Sequence, residues 1–187
     1  NTNKKMVGGV AIGQVLRLDD DPGFTSSSGL EKKQSDVFLA AELSLPNASY
    51  ISFQGLLGSN FKTKKTDFNA GFDYKTLYLD TKYSFLQADS EENRLNPIEE
   101  LTISTGHKLN YNWDVKSNLR YDQTESHLAS LGAGLAYENQ CVLVNLEMDR
   151  RYSLEGTSPP TTNFSFAISL KGFSTGKMTA ISEKSCK

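Results

Sequence analysis

The chain has 187 residues, enough for one domain or for part of a larger one, and 22 acidic against 20 basic side chains give a net charge of −2. That balance excludes the basic footprint of a nucleic-acid binder, and no run approaches the ~20 apolar residues of a transmembrane helix. A mean hydropathy of −0.45 reads as soluble unless apolar and polar residues alternate, because a membrane β-strand shows lipid only one of its faces.

Alternation is what the chain shows. Residues 6–18, 36–45 and 49–58 carry an imperfect period of two. Over residues 66–74, Phe68, Ala70, Phe72 and Tyr74 alternate with Asp67, Asn69, Gly71 and Asp73. Residues 77–86 set Leu77, Leu79, Thr81, Tyr83 and Phe85 against Tyr78, Asp80, Lys82 and Ser84. Residues 99–109 set Leu101, Ile103 and Thr105 against Thr102, Ser104 and Gly106, and residues 113–121 set Val115, Leu119 and Tyr121 against Lys116, Asn118 and Arg120. In residues 128–138, Leu131, Ala133, Leu135 and Tyr137 alternate with Gly132, Gly134, Ala136 and Glu138. Residues 142–151 oppose Val142, Val144, Leu146 and Met148 to Asn145, Glu147 and Asp149, and residues 163–173 oppose Phe164, Phe166, Ile168 and Leu170 to Asn163, Ser165 and Ser169. Successive side chains on a strand point to opposite faces, so each segment has one apolar and one polar face. About ten strands of ~9–11 residues result, the length a tilted strand needs to cross a bilayer. No 3.6-residue period is sustained, which predicts almost no helix.

Connections alternate too. Residues 46–48, 75–76, 110–112 and 138–140 are short, whereas 19–35, 59–66, 87–99, 123–127 and 152–162 are longer and polar. An up-and-down antiparallel meander then puts all short turns, and both chain ends, on one side. Tight periplasmic turns opposite long extracellular loops are the pattern of an outer-membrane barrel, and a soluble Greek-key sandwich has no reason to show it. The fold class predicted is all-β, a meander forming part of a transmembrane β-barrel. Aromatics near strand ends (Tyr50, Phe61, Tyr74, Tyr78, Phe85, Tyr111, Trp113, Tyr121, Tyr137, Tyr152 and Phe173) are expected in interfacial girdles.

The residues point to no enzyme. His107 falls on a mostly apolar face and His127 in or beside a long loop near Asp122, with no Asp-x-His pair. No nucleophile elbow, phosphate loop or Cys/His metal set occurs, so no catalytic, cofactor or metal residue is assigned. Asp19-Asp20-Asp21 before Pro22-Gly23, and Glu91-Glu92-Asn93-Arg94, read as solvated turns. The competing reading is that outward carboxylates hold cations bridging lipid phosphates. No apolar signal core follows Asn1-Thr2-Asn3-Lys4-Lys5, so a signal has been removed or the chain starts within a longer one. Cys141 and Cys186 lack metal-ligand spacing and are incidental thiols or disulfide partners in an oxidising compartment.

The stretches LGAGLAYENQCVLVNLEMDRRY and TNFSFAISLKGFSTG resemble the C-terminal end of the LptD family (organic solvent tolerance proteins). GQVLRLDDDPGFTSSSGLEKKQSDVFLAAEL looks like its alphaproteobacterial branch, and LNYNWDVKSNLRYD fits its hairpin style. The likeness is most specific over residues 137–146 and 164–175 and faint over 49–90. It implies a translocon in the bacterial outer membrane that delivers lipopolysaccharide to the outer leaflet through a barrel of ~26 strands. The lipoprotein LptE would plug the lumen, the barrel-assembly machinery would insert the barrel, and a periplasmic Lpt bridge would feed an N-terminal domain this chain does not carry. Residues 1–187 are thus expected to be a C-terminal barrel segment, with 174–187 a periplasmic tail. The last strand, with Phe164, Phe166, Ile168, Leu170 and Phe173, would form one side of a lateral gate, and its Ser-Leu-Lys-Gly-Phe end is similar to an assembly signal. Cys141 matches a family position that bonds the barrel end to the N-terminal domain, although Gln140 stands where some members have a second cysteine. A bond between Cys141 and Cys186, or partners elsewhere for at least one of them, both remain open.

Two other classes compete: a self-contained small outer-membrane barrel acting as adhesin, receptor or surface enzyme, and a soluble β-protein. The soluble reading requires Phe68, Phe72, Leu79, Phe85, Leu131, Val144, Phe166 and Ile168 to face a closed interior.

Overall fold

A computed structural model describes residues 5–18, 23–58, 60–153 and 158–171. Ten antiparallel strands form one sheet in chain order: β1 (Val7–Gly13), β2 (Val37–Ser44), β3 (Tyr50–Leu57), β4 (Thr63–Tyr74), β5 (Leu77–Leu86), β6 (Ile98–Lys108), β7 (Trp113–Asp122), β8 (His127–Glu138), β9 (Val142–Arg151) and β10 (Thr161–Leu170). The helical content among the described residues is two 3-10 turns, Ser26–Ser28 and Ser90–Glu92. The sheet does not close on itself, because β1 and β10 each pair on one side alone.

Residues paired across a ladder share a face, so the register carries the alternation of single strands across the whole sheet. One row reads Val10, Ala41, Phe53, Phe68, Tyr83, Leu101 and Tyr121. The adjacent row, on the other face, reads Glu42, Ser52, Asn69, Lys82, Thr102, Arg120, Ser130 and Arg151. A one-residue slip anywhere would mix the two, and the two register irregularities, at Leu56/Leu57 and Arg120/Tyr121, lie at strand ends.

The boundaries differ from the sequence reading in instructive places. β1 stops at Gly13, and its hairpin continues outward only through the isolated bridge between Leu16 and Gln34. β4 starts at Thr63 and β8 at His127, so the connections before them are shorter than the sequence reading expects. Phe61 and Ser126 close them with φ of 59° and 53°, a conformation that composition hides when the residue is not Gly or Asn. The length asymmetry between the two ends therefore rests on 14–36, 87–97 and 152–160.

Three glycines on the polar face make room for side chains that cross from one strand to the next but one. A Cβ at Gly71 would lie 2.1 Å from Cε1 of Tyr50, and the Tyr50 hydroxyl reaches over it to donate to the Asp80 carboxylate. A Cβ at Gly106 would lie 2.0 Å from Cε1 of Tyr78 and 2.3 Å from its hydroxyl oxygen, so the phenol lies over the glycine. At Gly132 the space is filled by Oδ1 of Asn118 and Oδ1 of Asp149, 2.1 and 2.6 Å from where a Cβ would sit. Gly71, Gly106 and Gly132 thus admit neighbouring side chains over β4, β6 and β8, and at Gly71 the crossing side chain closes a hydrogen bond from β3 to β5.

A methyl group at Gly106 has to displace the Tyr78 ring. Gly106→Ala is expected to destabilise the protein by ~1–3 kcal/mol in urea unfolding from detergent micelles. The second change Tyr78→Ser, which empties the space, recovers part of that loss.

Candidate functional site

No hydrophobic side chain is buried among the described residues, and the buried polar ones are Ser35, Ser49 and Asp89. A soluble sheet would bury its apolar face against a second layer. Here Phe68, Phe72, Leu79, Leu131, Phe166 and Ile168 are exposed, and Phe85 and Val144 half-exposed, on one apolar face of the sheet. Among the described strand residues, full charges and histidine enter this face only near strand ends: Glu99 and Arg150 toward the long loops, His107 toward the short turns. Along β5 the clean stretch from Leu77 to Phe85 measures roughly 26 Å at ~3.3 Å per residue, comparable when tilted to a barrel's ~25 Å apolar band.

Aromatic rings mark both rims of that band. At the short-turn end Trp113 and Tyr137 meet at 4.9 Å and 55°, and Tyr74 stacks 6.2 Å from Phe72 with Lys75 Nζ 5.0 Å from its centroid. Tyr83, Phe85 and Tyr121 share the apolar face at the other end. Tyr50 and Tyr78 do not belong to the girdle the sequence suggested. They sit on the polar face, over Gly71 and Gly106, because their register positions pair with Gly71 and Gly106 rather than with apolar residues.

The opposite face is hydrophilic across its width. Ser84 Oγ donates to Asp67 at 2.9 Å, Asn69 Nδ2 to Ser52 Oγ at 3.3 Å, and Arg120 lies 3.9 Å from Glu100. Beside the β6–β7 turn this face opens into a recess of ≈ 700 Å³ lined by Lys108, Asn110, Asp114, Lys116 and Asn145, among others. Such a surface offers donors, acceptors and both signs of charge to a polar passenger, with no centre that concentrates reactivity.

The histidines are not brought together. His107 pairs with Leu77 and Val115 on the apolar face, while His127 pairs with Asp122 on the polar face, its Nδ1 buried without a partner. No group of potential metal ligands occurs among the described residues. Cys141 lies in the β8–β9 turn at the short-turn end, and no cysteine stands free among the described residues. Cys186, Phe173 and the tail 174–187 lie outside the described residues, as do Asp19, Asp20 and Asp21.

Among the described residues, no strand pairs with the outer edge of the last strand. Phe164, Phe166, Ile168 and Leu170 share the apolar face and are 78%, 62%, 56% and 56% exposed. Their polar neighbours Asn163, Ser165 and Ser169 face Asp149, Glu147 and Leu143.

Sequence reasoning missed one constellation, at the long-loop end. Glu91 and Glu92, read as solvated, receive the hydroxyl run of the β1–β2 loop. Thr25 Oγ1 donates to Glu92 at 2.8 Å, Ser27 Oγ donates to the same oxygen, and Ser27 N–H donates to Asp89 at 2.8 Å. Arg94 pairs with Glu92 at 2.7 Å, and Lys64 joins Asp36 at 2.8 Å and the Ser26 carbonyl at 2.7 Å. The two longest described connections are thereby tied above β3 and β4. Hydrogen bonds from Ser27, Thr25 and Arg94 pull the Glu92 carboxyl down from 4.5 to about 2. The signal was present in Asp89-Ser90-Glu91, where Asp89 caps its own turn by accepting from Glu91 N–H at 2.9 Å.

Comparison with known proteins gives one family. A family model described as LptD, LPS transport system D, matches residues 1–113, more than half of the 187 residues. No curated protein matches the chain.

Two outcomes follow from the geometry. Ile103 and Ser104 are adjacent on β6 but face lipid and polar side respectively. Ile103→Arg is expected to cost ~2–4 kcal/mol in folding titrations into lipid vesicles, whereas Ser104→Arg stays within about 1 kcal/mol. Because the folded Glu92 value is depressed, its contribution to loop order is fully present above 4.5 and is lost only as pH falls through about 2. An NMR titration of that carboxyl should show this midpoint, and Ser27→Ala should move it upward.

Proposed function

Because the chain belongs to the LptD family, LPS transport system D, whose members act in lipopolysaccharide transport at the outer membrane, we propose that it forms the C-terminal wall of the barrel through which lipopolysaccharide reaches the outer leaflet. The observation that carries this reading is a ten-stranded sheet with one lipid-compatible face, one hydrophilic face, no buried apolar core among the described residues and two bare edges. The apolar face meets membrane lipid. The polar face lines a passage for sugars and phosphates. β10 forms one side of a lateral gate, with Phe164, Phe166, Ile168 and Leu170 toward lipid. A bare strand edge is the only place where a closed wall can part without breaking a ladder interior to it.

The same reading names the partners. The plug lipoprotein LptE packs against luminal polar positions, the periplasmic Lpt bridge delivers lipid from the short-turn side, and the barrel-assembly machinery inserts the wall. Cys141, at the short-turn end, forms a disulfide with Cys186 or with a cysteine of the periplasmic domain. A self-contained ten-stranded barrel would pair β1 with β10, and the sheet order lacks that pairing.

A photoreactive residue in place of Asn118, on the polar face, is expected to capture newly made lipopolysaccharide in growing cells. The adduct should disappear once synthesis stops. The same group in place of Leu119, on the apolar face, should capture lipid that does not turn over with synthesis. If Asn118 captures no lipopolysaccharide, passage along this face is refuted.

A further inference from the structure

One register row sets cations across the polar face. Lys82 of β5 pairs with Thr102, Thr102 with Arg120 of β7, Arg120 with Ser130, Ser130 with Arg151 of β9, and Arg151 with Thr161 of β10. Three basic side chains thus stand on alternate strands at one height, ~10 Å apart at ~4.8 Å per strand, with hydroxyl groups between them. All three are exposed. Their one carboxylate contact among the described residues is the 3.9 Å approach of Arg120 to Glu100. The flanking rows carry acids instead: Asp67, Glu100 and Asp122 toward the long loops, Asp80 and Asp149 toward the short turns. An anion on this face is therefore attracted along the basic row and repelled from either side of it. At the end of the row the positive charge continues onto the other face. Arg150, next to Arg151, lies on the apolar side, where it pairs with Leu131 and Thr162. Its guanidinium rests 5.3 Å from the centroid of the Tyr152 ring, and no carboxylate pairs with it among the described residues. Arg150 and Arg151 straddle the sheet one strand in from β10.

We propose that this row is a phosphate track: Lys82, Arg120 and Arg151 hold phosphate groups of the passenger along the polar face, and Arg150 receives one on the lipid face beside β10. This deepens the passage reading above and rests on it, naming the chemical group that the wall recognises. Arginine presents a planar fork that matches phosphate bidentately, whereas lysine is a point charge, and the two forks nearest the edge are Arg151 and Arg150. Exposed contacts are individually modest, so a passenger engaged at one of them is not trapped there. On the apolar face an arginine stem lies along the hydrocarbon while its head stays among the lipid headgroups. A free phosphate ion has no apolar part to bring it there, and a phosphate carried on acyl chains has.

The test uses the full-length protein in the outer membrane of growing cells. A photoreactive residue replaces Thr161, opposite Arg151 on the polar face, or Thr162, opposite Arg150 on the apolar face. Capture of newly made lipopolysaccharide and of phospholipid is measured separately. Arg151→Gln is expected to lower lipopolysaccharide capture at both positions, about tenfold. Arg150→Gln is expected to lower it to a similar degree at Thr162 and not at Thr161, with Arg150→Lys restoring part of the loss and phospholipid capture unchanged. If Arg151→Gln leaves capture at Thr161 as it was, the track is overturned. If Arg150→Gln lowers capture of both lipids alike, Arg150 is a general headgroup anchor and its place in the track is overturned. Inorganic phosphate added to the purified full-length protein with its bound lipopolysaccharide should leave capture at Thr162 unchanged; protection there would make this a site for the free ion and overturn the lipid assignment. Removing a charge from the lipid face relieves a cost, so Arg150→Gln should not destabilise the protein in urea, and a loss of stability would mark Arg150 as structural and overturn its role. In all these cases capture by the parent protein keeps the passage reading. If the parent captures no lipopolysaccharide at Thr161, Thr162 or Asn118, that reading falls and the track with it.

Discussion

In hydrocarbon every backbone N–H and C=O needs a partner within the protein, since water is not there to supply one. A sheet meets that demand by passing hydrogen bonds from strand to strand, and β2 to β9 do so on both sides. Most other features follow. The strands must run next to their sequence neighbours, joined by turns as short as residues 75–76. Their outward side chains must be apolar without covering a core, so Phe72, Leu79 and Ile168 lie open as they would in no soluble domain. The inward side chains are released from any packing requirement and become polar. What the demand leaves unsolved is the pair of edges, and the proposed gate makes use of one.

Within that frame the polar face does more than tolerate water. A sheet of this width needs something besides its ladders to set how neighbouring strands lie against each other. Side chains that bridge alternate strands over a glycine give that restraint at little volume. Tyr50 does so over Gly71, and Gly106 and Gly132 leave room for Tyr78 and for Asn118 and Asp149. The tie between the 14–36 and 87–97 connections sits above β3 and β4, through Lys64 of β4.

The fold was largely legible from the chain because period-two alternation is a local property that burial on one side imposes on every strand. Phe68 to Tyr74 and Val142 to Met148 announce their faces without reference to any neighbour. Turn closure by Phe61 and Ser126 was not legible, since neither residue advertises a left-handed backbone. Nor was the placement of Tyr50 and Tyr78, which depends on which residue of the next strand stands opposite, a matter of register rather than composition. The contact of Glu92 with Thr25 and Ser27 spans 67 and 65 residues of sequence and depends on two loops meeting above a sheet. The family likeness was most specific in the tail but extended over residues 13–43 and 109–122, and the matched segment, residues 1–113, overlaps it there and also includes the region where it was faintest.

The sequential strand order also bears on how such a wall comes into being. Every strand from β2 to β9 has as neighbours the segments synthesised just before and just after it. Each pairing closes only a short loop, whose entropic cost rises slowly with length, and mean sequence separation between contacts stays low for an all-β chain. Growth can thus proceed by adding one hairpin at a time to an existing edge, each addition presenting a fresh template for the next. Among the described residues, β10 is where that progression stops. An edge left in that state is itself a template, carrying unpaired N–H and C=O groups on which a further strand can be laid.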